Sequence, residues 1–535
     1  MSHTSARKTV DEDKSKEFVV SKSPATGQKL GVSQLNTPDD VLIAVETAKK
    51  IQPLWAATPI KERSRAMIRV RDYIVQHADE IAQTVSLDNG KTLTDAMVAE
   101  AFGAALAADY YAKNTKRLIK DKGIRPGLMM MAYKKSKIIR VPYGVIGIIS
   151  PWNYPFTIPF VEIVMALMAG NAVVLKVATE TQQVGRELEK CFNSVGLPEG
   201  LFTHVNLPGR IAGDAFLSAG IDKLFFTGSV GVGKQLMALA SRTLTPLSLE
   251  LGGNDPMLVC PDANLYRAAT GAVWAGLSNS GQTCAAVERI YVHKDVYDSF
   301  MDLLGKQVES IRVGKDGFNV DIGAMTTTQQ METVKQHITD ALDKGAVIAA
   351  QSAYPKDSGG NFLPATILAN VDHSMVVMRE ETFGPVLGVM KVDDMEQAVA
   401  LANDSNLGLT ASVWSRNRRY AESLARRIQS GVVMINDHLM SNGLAETPWG
   451  GFKESGIGRT HGELGMMEMT QPICIVHDYL PGVQRNMWWY PAGKEIYDGI
   501  KGMMDFLFSH NIGKRMSGGI RLTRLFMRSF TKERH

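Results

Sequence analysis

The feature that most restricts the fold is an alternation of short Val- and Ile-rich runs with segments of helical period. KIIRVPYGVIGIIS, NAVVLKVAT, GLFTHVNLPG and KLFFTGS read as short buried strands, with Gly144 and Gly147 punctuating the first of them. Helical stretches such as PFTIPFVEIVMALMAG and TQQVGRELEKCFNSVG lie between them. Parallel strands need a crossover connection, usually a helix, so the alternation predicts an α/β fold with mostly parallel sheets covered by helices on both faces. After Glu250 a second set begins, with DPMLVC, ERIYVH, GPVLGVMKV, LTASVWS and GVVMIN. Two Rossmann-like lobes joined near residue 250 are expected. From Thr37 to about Lys116 the pattern is helical, opening on Pro38-Asp39-Asp40.

The chain's 535 residues suit about two to four domains. A net charge of +4 is too mild to imply a nucleic-acid partner. The four cysteines, Cys191, Cys260, Cys284 and Cys474, are far apart and show no metal-ligand spacing, so no metal is expected. They fit a reducing, cytoplasmic setting. The N-terminal residues are polar, without the apolar core of a secretory signal, and no apolar run is long enough to span a membrane.

Four motifs carry chemistry. In NSGQTCAAVERI, Cys284 has small neighbours that leave a thiol open to attack a substrate, although a lone cysteine is more often an inert buried residue. In SPWNYPF, Asn153 lies in a turn stiffened by prolines, where its amide would donate to an oxyanion or simply cap the turn. In LELGG, Glu250 is a carboxylate among apolar and glycine neighbours; burial would suit it to general-base work, and the plain alternative is a solvated Glu at an element's end. FTGSVGVGK follows a strand and offers backbone N–H groups to a phosphate, but matches neither common Gly-rich fingerprint.

Together these motifs resemble the aldehyde dehydrogenase superfamily. PWNYP, FTGSVGVGK, LELGGNDP, GQTC, EETFGPV and PWGGFKESGIGR all resemble its signatures, and 34 residues separate Glu250 from Cys284. The resemblance runs from about Ser23 to Tyr479. It implies that Cys284 is the nucleophile, that Asn153 with the Cys284 N–H holds the oxyanion, and that Glu250 activates the water that hydrolyses a thioester. It implies NAD or NADP as cofactor. Lys176 and Thr179 would face the adenosine ribose, Trp152, Gly228 and Ser229 the phosphates, and Glu381 with Phe383 the nicotinamide riboside.

Departures from the family pattern bear on specificity. NAD-preferring members commonly carry Glu three residues after the lysine; here Thr179 stands there and Glu180 follows. Thr does not repel a 2′-phosphate, so NADP should be accepted. The usual buried lysine nine residues after the Asn is Glu162, and its usual glutamate partner is Thr460. Glu162 then serves a proton path or sits as a carboxylate in a polar pocket. Succinate-semialdehyde members carry arginines near Val161 and Ser278, which are not basic here. Tyr154, Ile158, Val161 and Trp449, beside the small Ser278 and Thr283, suggest an apolar tunnel for aliphatic or aromatic aldehydes. A semialdehyde dehydrogenase and a catalytically silent scaffold are the alternatives.

The resemblance also implies the domain plan. Residues 1–17 form a flexible tail, 18–128 with 144–250 bind the cofactor, and 251–469 form the catalytic domain. Residues 129–143 with 470–485 make a β-hairpin bridging element that joins subunits of a homodimer or homotetramer. Residues 486–535 extend beyond the family pattern. There, Trp488, Trp489 and Tyr490 have interfacial character. Leu522, Leu525, Phe526 and Ser529 fall on one helical stripe and Arg521, Arg524 and Arg528 on another. A basic amphipathic helix suits a membrane surface, such as the inner face of a bilayer, or a partner subunit. Gly513, Gly518 and Gly519 argue against one continuous helix.

Overall fold

A computed structural model describes residues 17–128, 131, 133–315, 317–356 and 359–531. Most of the expected N-terminal tail, and Met129 at the start of the expected bridging element, lie outside the described residues. The chain divides into two compact units. The larger runs to Lys120 and takes in Arg140–Gln471; the smaller comprises Asp121–Ile139 and the chain from Pro472.

The larger unit holds two parallel-strand sheets. In the first, Val145–Ile149 lies at the centre, with Ala172–Lys176 and then Phe202–His204 on one side. The chain then returns to the other side as Lys223–Thr227 and Leu247–Glu250. The strand order therefore reverses between Val145–Ile149 and Lys223–Thr227. At such a switch point the loops leaving the two strands diverge and open a crevice at their carboxyl ends. The 150–153 turn and the 227–229 turn flank it. All these strands pair in parallel, and only Gly456–Ile457 closes the edge antiparallel, with Gly456 opposite Glu250.

The second sheet has seven strands, in the order Val347–Gln351, Thr366–Ala369, Val386–Val392, Val287–His293, Asp255–Val259, Thr410–Trp414 and Val432–Ile435. Only the Val347–Gln351 edge strand is antiparallel. The inner strands are buried along their length. That explains why they read as continuous apolar runs rather than as alternating ones.

The helix Thr157–Ala169 is buried all round and ends at Gly170, whose φ of 98° is the left-handed cap glycine adopts readily. Ile158, Val161 and Glu162, at i, i+3 and i+4, share one of its faces. The helical region after Thr37 is several helices rather than one, beginning with Pro38–Ala57 behind a Thr37–Asp40 capping box. Within it, Ala96–Phe102 is a π-helical segment. A further pair of strands, Phe18–Lys22 and Lys29–Gln34, precedes these helices.

In the smaller unit, Thr470–Asp478, Lys134–Pro142 and Lys122–Ile124 form a three-stranded sheet. It is followed by helices Lys494–Phe508 and Ile512–Arg528. The second helix is continuous through Gly513, Gly518 and Gly519, against expectation. Its arginines do not form a solvent stripe either, because Arg528 is buried and Arg521 is paired with Asp505 at 2.8 Å. Among the described residues no helix is long and apolar enough to cross a membrane, and all four cysteines are free.

Candidate active site

Cys284 sits on a loop that follows the helix Leu265–Leu277. Asn279, Ser280 and Gly281 all have positive φ, at 54°, 57° and 73°. Left-handed non-glycine residues cost about 1 kcal/mol or more each, so the surroundings must hold the loop in place. A Cβ on Gly281 would lie 2.1 Å from the Gly384 carbonyl oxygen, so only glycine fits there.

Several hydrogen bonds hold this loop. Asn153 Nδ2 donates to the Gln282 carbonyl at 3.0 Å, and Asn279 Nδ2 donates to the same oxygen at 3.1 Å and to the Asn153 carbonyl at 2.9 Å. Gln282 Nε2 donates to the Asn279 carbonyl at 3.0 Å, while its Oε1 accepts the Thr326 N–H at 2.9 Å. Asn153 is thereby held against the loop that carries Cys284.

A buried ion pair lies behind Asn153. Lys91 Nζ donates to Glu100 Oε1 at 2.6 Å and to the Asn153 carbonyl at 2.8 Å, and both side chains are fully buried. Burial pulls the Lys91 ammonium below its ordinary pKa, against the pull of Glu100. Glu100 Oε2 also accepts the Phe156 and Thr157 N–H groups at 3.1 and 2.8 Å, satisfying the start of the helix that carries Ile158, Val161 and Glu162. Such pairs are weak sources of net stability but fix position, because removing one partner strands a buried charge. The Lys91 ammonium lies 4.0 Å from the Tyr154 ring centroid, and the Tyr154 hydroxyl shares a 2.7 Å hydrogen bond with Thr283 Oγ1.

One cavity of about 1430 Å³, counting its open mouth, joins the reactive groups. Cys284, Glu250 and Glu162 line it, as do Tyr154, Ile158, Val161, Ser278, Thr283 and Trp449. Asn153 is placed by its contacts with Gln282 rather than on the wall. The sequence reading missed Asp95, Trp274, Leu439, Met440 and His461 on the lining. No lysine or arginine lines it.

Burial dominates the electrostatics. It pushes the half-buried Cys284 thiol well up, and the carboxylates of Glu381, Asp255 and Glu250 add to the effect. Burial and then the neighbouring Glu162 raise Glu250 well above the carboxylate range, while Arg459 opposes them. Burial raises Glu162 to about 8 and lowers His461 to about 4. Both Glu250 oxygens, Glu162 Oε2 and His461 Nδ1 are buried and have no protein partner. Unpaired buried acceptors of this kind call for a water or a substrate atom.

The crevice at the switch point fits a dinucleotide. Lys176, buried at the end of its strand, is lowered by burial, against the pull of Glu180. Its ammonium makes no hydrogen bond or ion pair with the described residues, although its carbonyl accepts from Ser150. Thr179 is half-buried and Glu180 exposed, both in the turn Thr179–Thr181. Ser229 starts the helix Val230–Ala240 without a side-chain cap, so the first N–H groups of that helix are left for an anion. A Cβ on Gly228 would lie 2.5 Å from the Phe226 ring. Trp152 packs edge-on against Phe383 at 5.4 Å between centroids, and Phe383 has a φ of 53°. Glu381 Oε1 accepts the Gly253 N–H at 3.1 Å. Among the described residues no cluster of side chains could hold a metal ion.

Comparisons with known proteins show the family. A profile of the aldehyde dehydrogenase family matches residues 10–474. The chain is 35% identical over 491 residues to a 4,4'-diapolycopene aldehyde oxidase of Methylomonas sp., covering 91% of each protein. It is 36% identical over 455 residues to a putative succinate-semialdehyde dehydrogenase [NADP(+)] of Mycolicibacterium smegmatis, covering 84% of this chain and 87% of that one. The crystal structure of an E. coli NADP-dependent enzyme superposes with a TM-score of 0.82 at 32% identity, covering 86% of this chain and 95% of the other. The chain belongs to the aldehyde dehydrogenase family and is an NAD(P)-dependent aldehyde dehydrogenase.

Proposed function

We propose that the enzyme oxidises apolar aliphatic or aromatic aldehydes to carboxylic acids, favours NADP, and works through a covalent adduct on Cys284. The observation that carries the substrate assignment is the cavity wall. It holds Trp274, Trp449, Leu439, Met440, Ile158 and Val161, together with three carboxyl groups and no cation. A substrate carboxylate would be buried there without a charge partner, beside Asp95, Glu162 and Glu250. His461, held neutral, offers no compensation.

In this reading the Cys284 sulfur, as thiolate, bonds to the aldehyde carbon, and the carbonyl oxygen takes the negative charge. The Cys284 N–H and an N–H of Asn153 hold that oxygen. The nicotinamide coenzyme, when bound, supplies the two-electron acceptor. Lys176, Thr179 and the N-terminus at Ser229 hold its adenosine phosphate end, with Trp152, Gly228, Glu381 and Phe383 along the rest. The acyl group then remains on sulfur as a thioester. Glu250 takes a proton from water, the water oxygen bonds to the acyl carbon, and the C–S bond breaks to return the thiol and release the acid.

NADP preference is supported by Thr179, which places no carboxylate against a 2′-phosphate, and by the NADP named for the Mycolicibacterium relative. That relative's name also supports a second reading, a semialdehyde dehydrogenase. Initial rates with hexanal, decanal, benzaldehyde and succinate semialdehyde, each with NAD and with NADP, separate the two. Decanal with NADP should exceed succinate semialdehyde by about a hundredfold in kcat/KM, since an unpaired buried charge costs at least about 3 kcal/mol. Succinate semialdehyde with NAD as the best pair would overturn the reading.

Glu162 acts in this scheme by setting the charge that Glu250 feels. Glu162 carries its charge only above about pH 8, so Glu162→Gln should alter the kcat profile there and leave the acid limb in place. It should also change stability with a definite sign. The folded pKa of about 8 lies above the ordinary 4.5, so the folded state holds this proton more tightly than the unfolded chain does. The wild type therefore loses stability as pH rises from about 4.5 to about 8. The variant should melt like wild type near pH 4 and above it near pH 9, by up to about 5 kcal/mol. Melting curves at both pH values test this, and equal differences at the two would refute it.

We assign a subunit-joining role, in a homodimer or homotetramer, to the three-stranded sheet, on whose outer strand Ile473 and Val476 are exposed. The free thiols support a cytoplasmic setting.

A further inference from the structure

The helices Lys494–Phe508 and Ile512–Arg528 form a hairpin closed by small residues. A Cβ on Gly518 would lie 2.5 Å from the Gly502 carbonyl oxygen, and one on Gly499 would lie 2.6 Å from Leu525 Cβ. The seam is completed by buried Leu522 and Leu525 and by the Asp505–Arg521 pair at 2.8 Å. At the base, Arg528 donates to the carbonyls of Met487, Trp489 and Pro491 at 2.9–3.0 Å.

This closure leaves the tip apolar. Met504 is 60% exposed, Phe508 75%, Ile512 75% and Met516 69%. All four lie within about one and a half helical turns of the Ser509–Asn511 bend. The charges around them that lack an ion pair have one sign. Glu495, Asp498 and Asp505 are each paired, with Arg528, Lys494 and Arg521. Lys501, Lys514, Arg515 and Arg524 have no ion pair among the described residues; Arg515, which donates to the Phe506 carbonyl at 3.2 Å, neighbours Ile512 and Met516 on the helix surface, and Lys514 leaves the opposite face at the same level.

We propose that the hairpin tip docks on an anionic lipid surface, with Phe508, Ile512 and Met516 in the acyl boundary and Lys514 and Arg515 at the phosphates. Long basic side chains reach headgroups while their stems lie along apolar neighbours. A second copy of the chain suits the tip poorly. A twofold contact would lay this positive patch on itself, with no unpaired acid in the hairpin to meet it, and lysine is depleted in the cores of protein interfaces. The proposal does not depend on the substrate reading, but a lipid-docked enzyme would meet apolar aldehydes where they dissolve.

The test is co-sedimentation of the full chain with vesicles of phosphatidylcholine alone and of phosphatidylcholine with phosphatidylglycerol. Capture should require the anionic lipid and weaken in high salt. Phe508→Ser with Ile512→Ser, and separately Lys514→Glu with Arg515→Glu, should each lower the partition coefficient about tenfold or more. Hexanal oxidation and solution mass, read on the same preparations, should stay unchanged. Equal capture by both vesicles, no capture, capture indifferent to both variants, or a smaller mass in the Phe508/Ile512 variant would overturn it. The last result would make the tip a contact between copies. Vesicle capture by a wild type that oxidises no aldehyde would instead defeat the proposed function and leave the docking intact.

Discussion

Cys284→Ala should lower aldehyde oxidation by at least about four orders of magnitude, because without a nucleophile neither the adduct nor the thioester forms. The loss should be chemical rather than structural. The hydrogen bonds that hold the 279–283 turn run through Asn153, Asn279, Gln282 and Thr326, and none uses the sulfur. Coenzyme binding, read as quenching of tryptophan fluorescence, and the melting temperature should therefore stay near wild type. Cys284→Ser should be almost as inactive, since a hydroxyl in a site that already raises a thiol's pKa is harder still to ionise. The raised thiol has a further consequence. Alkylation by iodoacetamide at neutral pH should be slow in the free enzyme, and should quicken if bound coenzyme and its positive nicotinamide ring lower the thiol pKa. Retention of oxidation by Cys284→Ala would leave the covalent route without a nucleophile. Any cellular role that survived the substitution would instead point to a scaffold.

The candidate groups could be picked out of the sequence because they sit on strand ends and turns. Short apolar runs mark such places, and the resemblance assigned roles to Cys284, Glu250, Asn153 and Lys176. Their supports were not legible. Lys91 and Glu100 lie in a stretch that reads as ordinary amphipathic helix, and nothing in the local pattern shows that Ala96–Phe102 is π-helical with Glu100 buried. A π-turn is decided by what the helix packs against, here the uncapped N–H groups of Phe156 and Thr157. The charges lining the cavity were equally hidden: Asp95 is far from the motifs in sequence, and nothing in the two residues after PWGGFKESGIGR shows that His461 faces the cavity. The terminal helix shows the opposite error. Glycines lower helix propensity, and Gly513, Gly518 and Gly519 were weighed on that basis. The hairpin seam reverses the weighting at Gly518, because the two backbones approach where only glycine fits.

Glu250→Gln should separate the two halves of the reaction. The amide keeps the shape of the side chain but cannot take a proton from water, so adduct formation should continue while release of the acid stalls. Steady-state turnover should fall about a hundredfold or more, the usual scale of a lost general base. Rapid mixing should then show a burst of reduced coenzyme close to one per active site, and mass spectrometry should find the acyl group on Cys284. The wild type should approach the same behaviour as pH falls. Burial and Glu162 hold the Glu250 pKa well above the carboxylate range, so the carboxylate is lost at a higher pH than for an ordinary glutamate and hydrolysis slows from there downward. If Glu250→Gln instead slowed the first turnover and the steady state equally, with no burst, Glu250 would be acting before the thioester, as the base that ionises the Cys284 thiol.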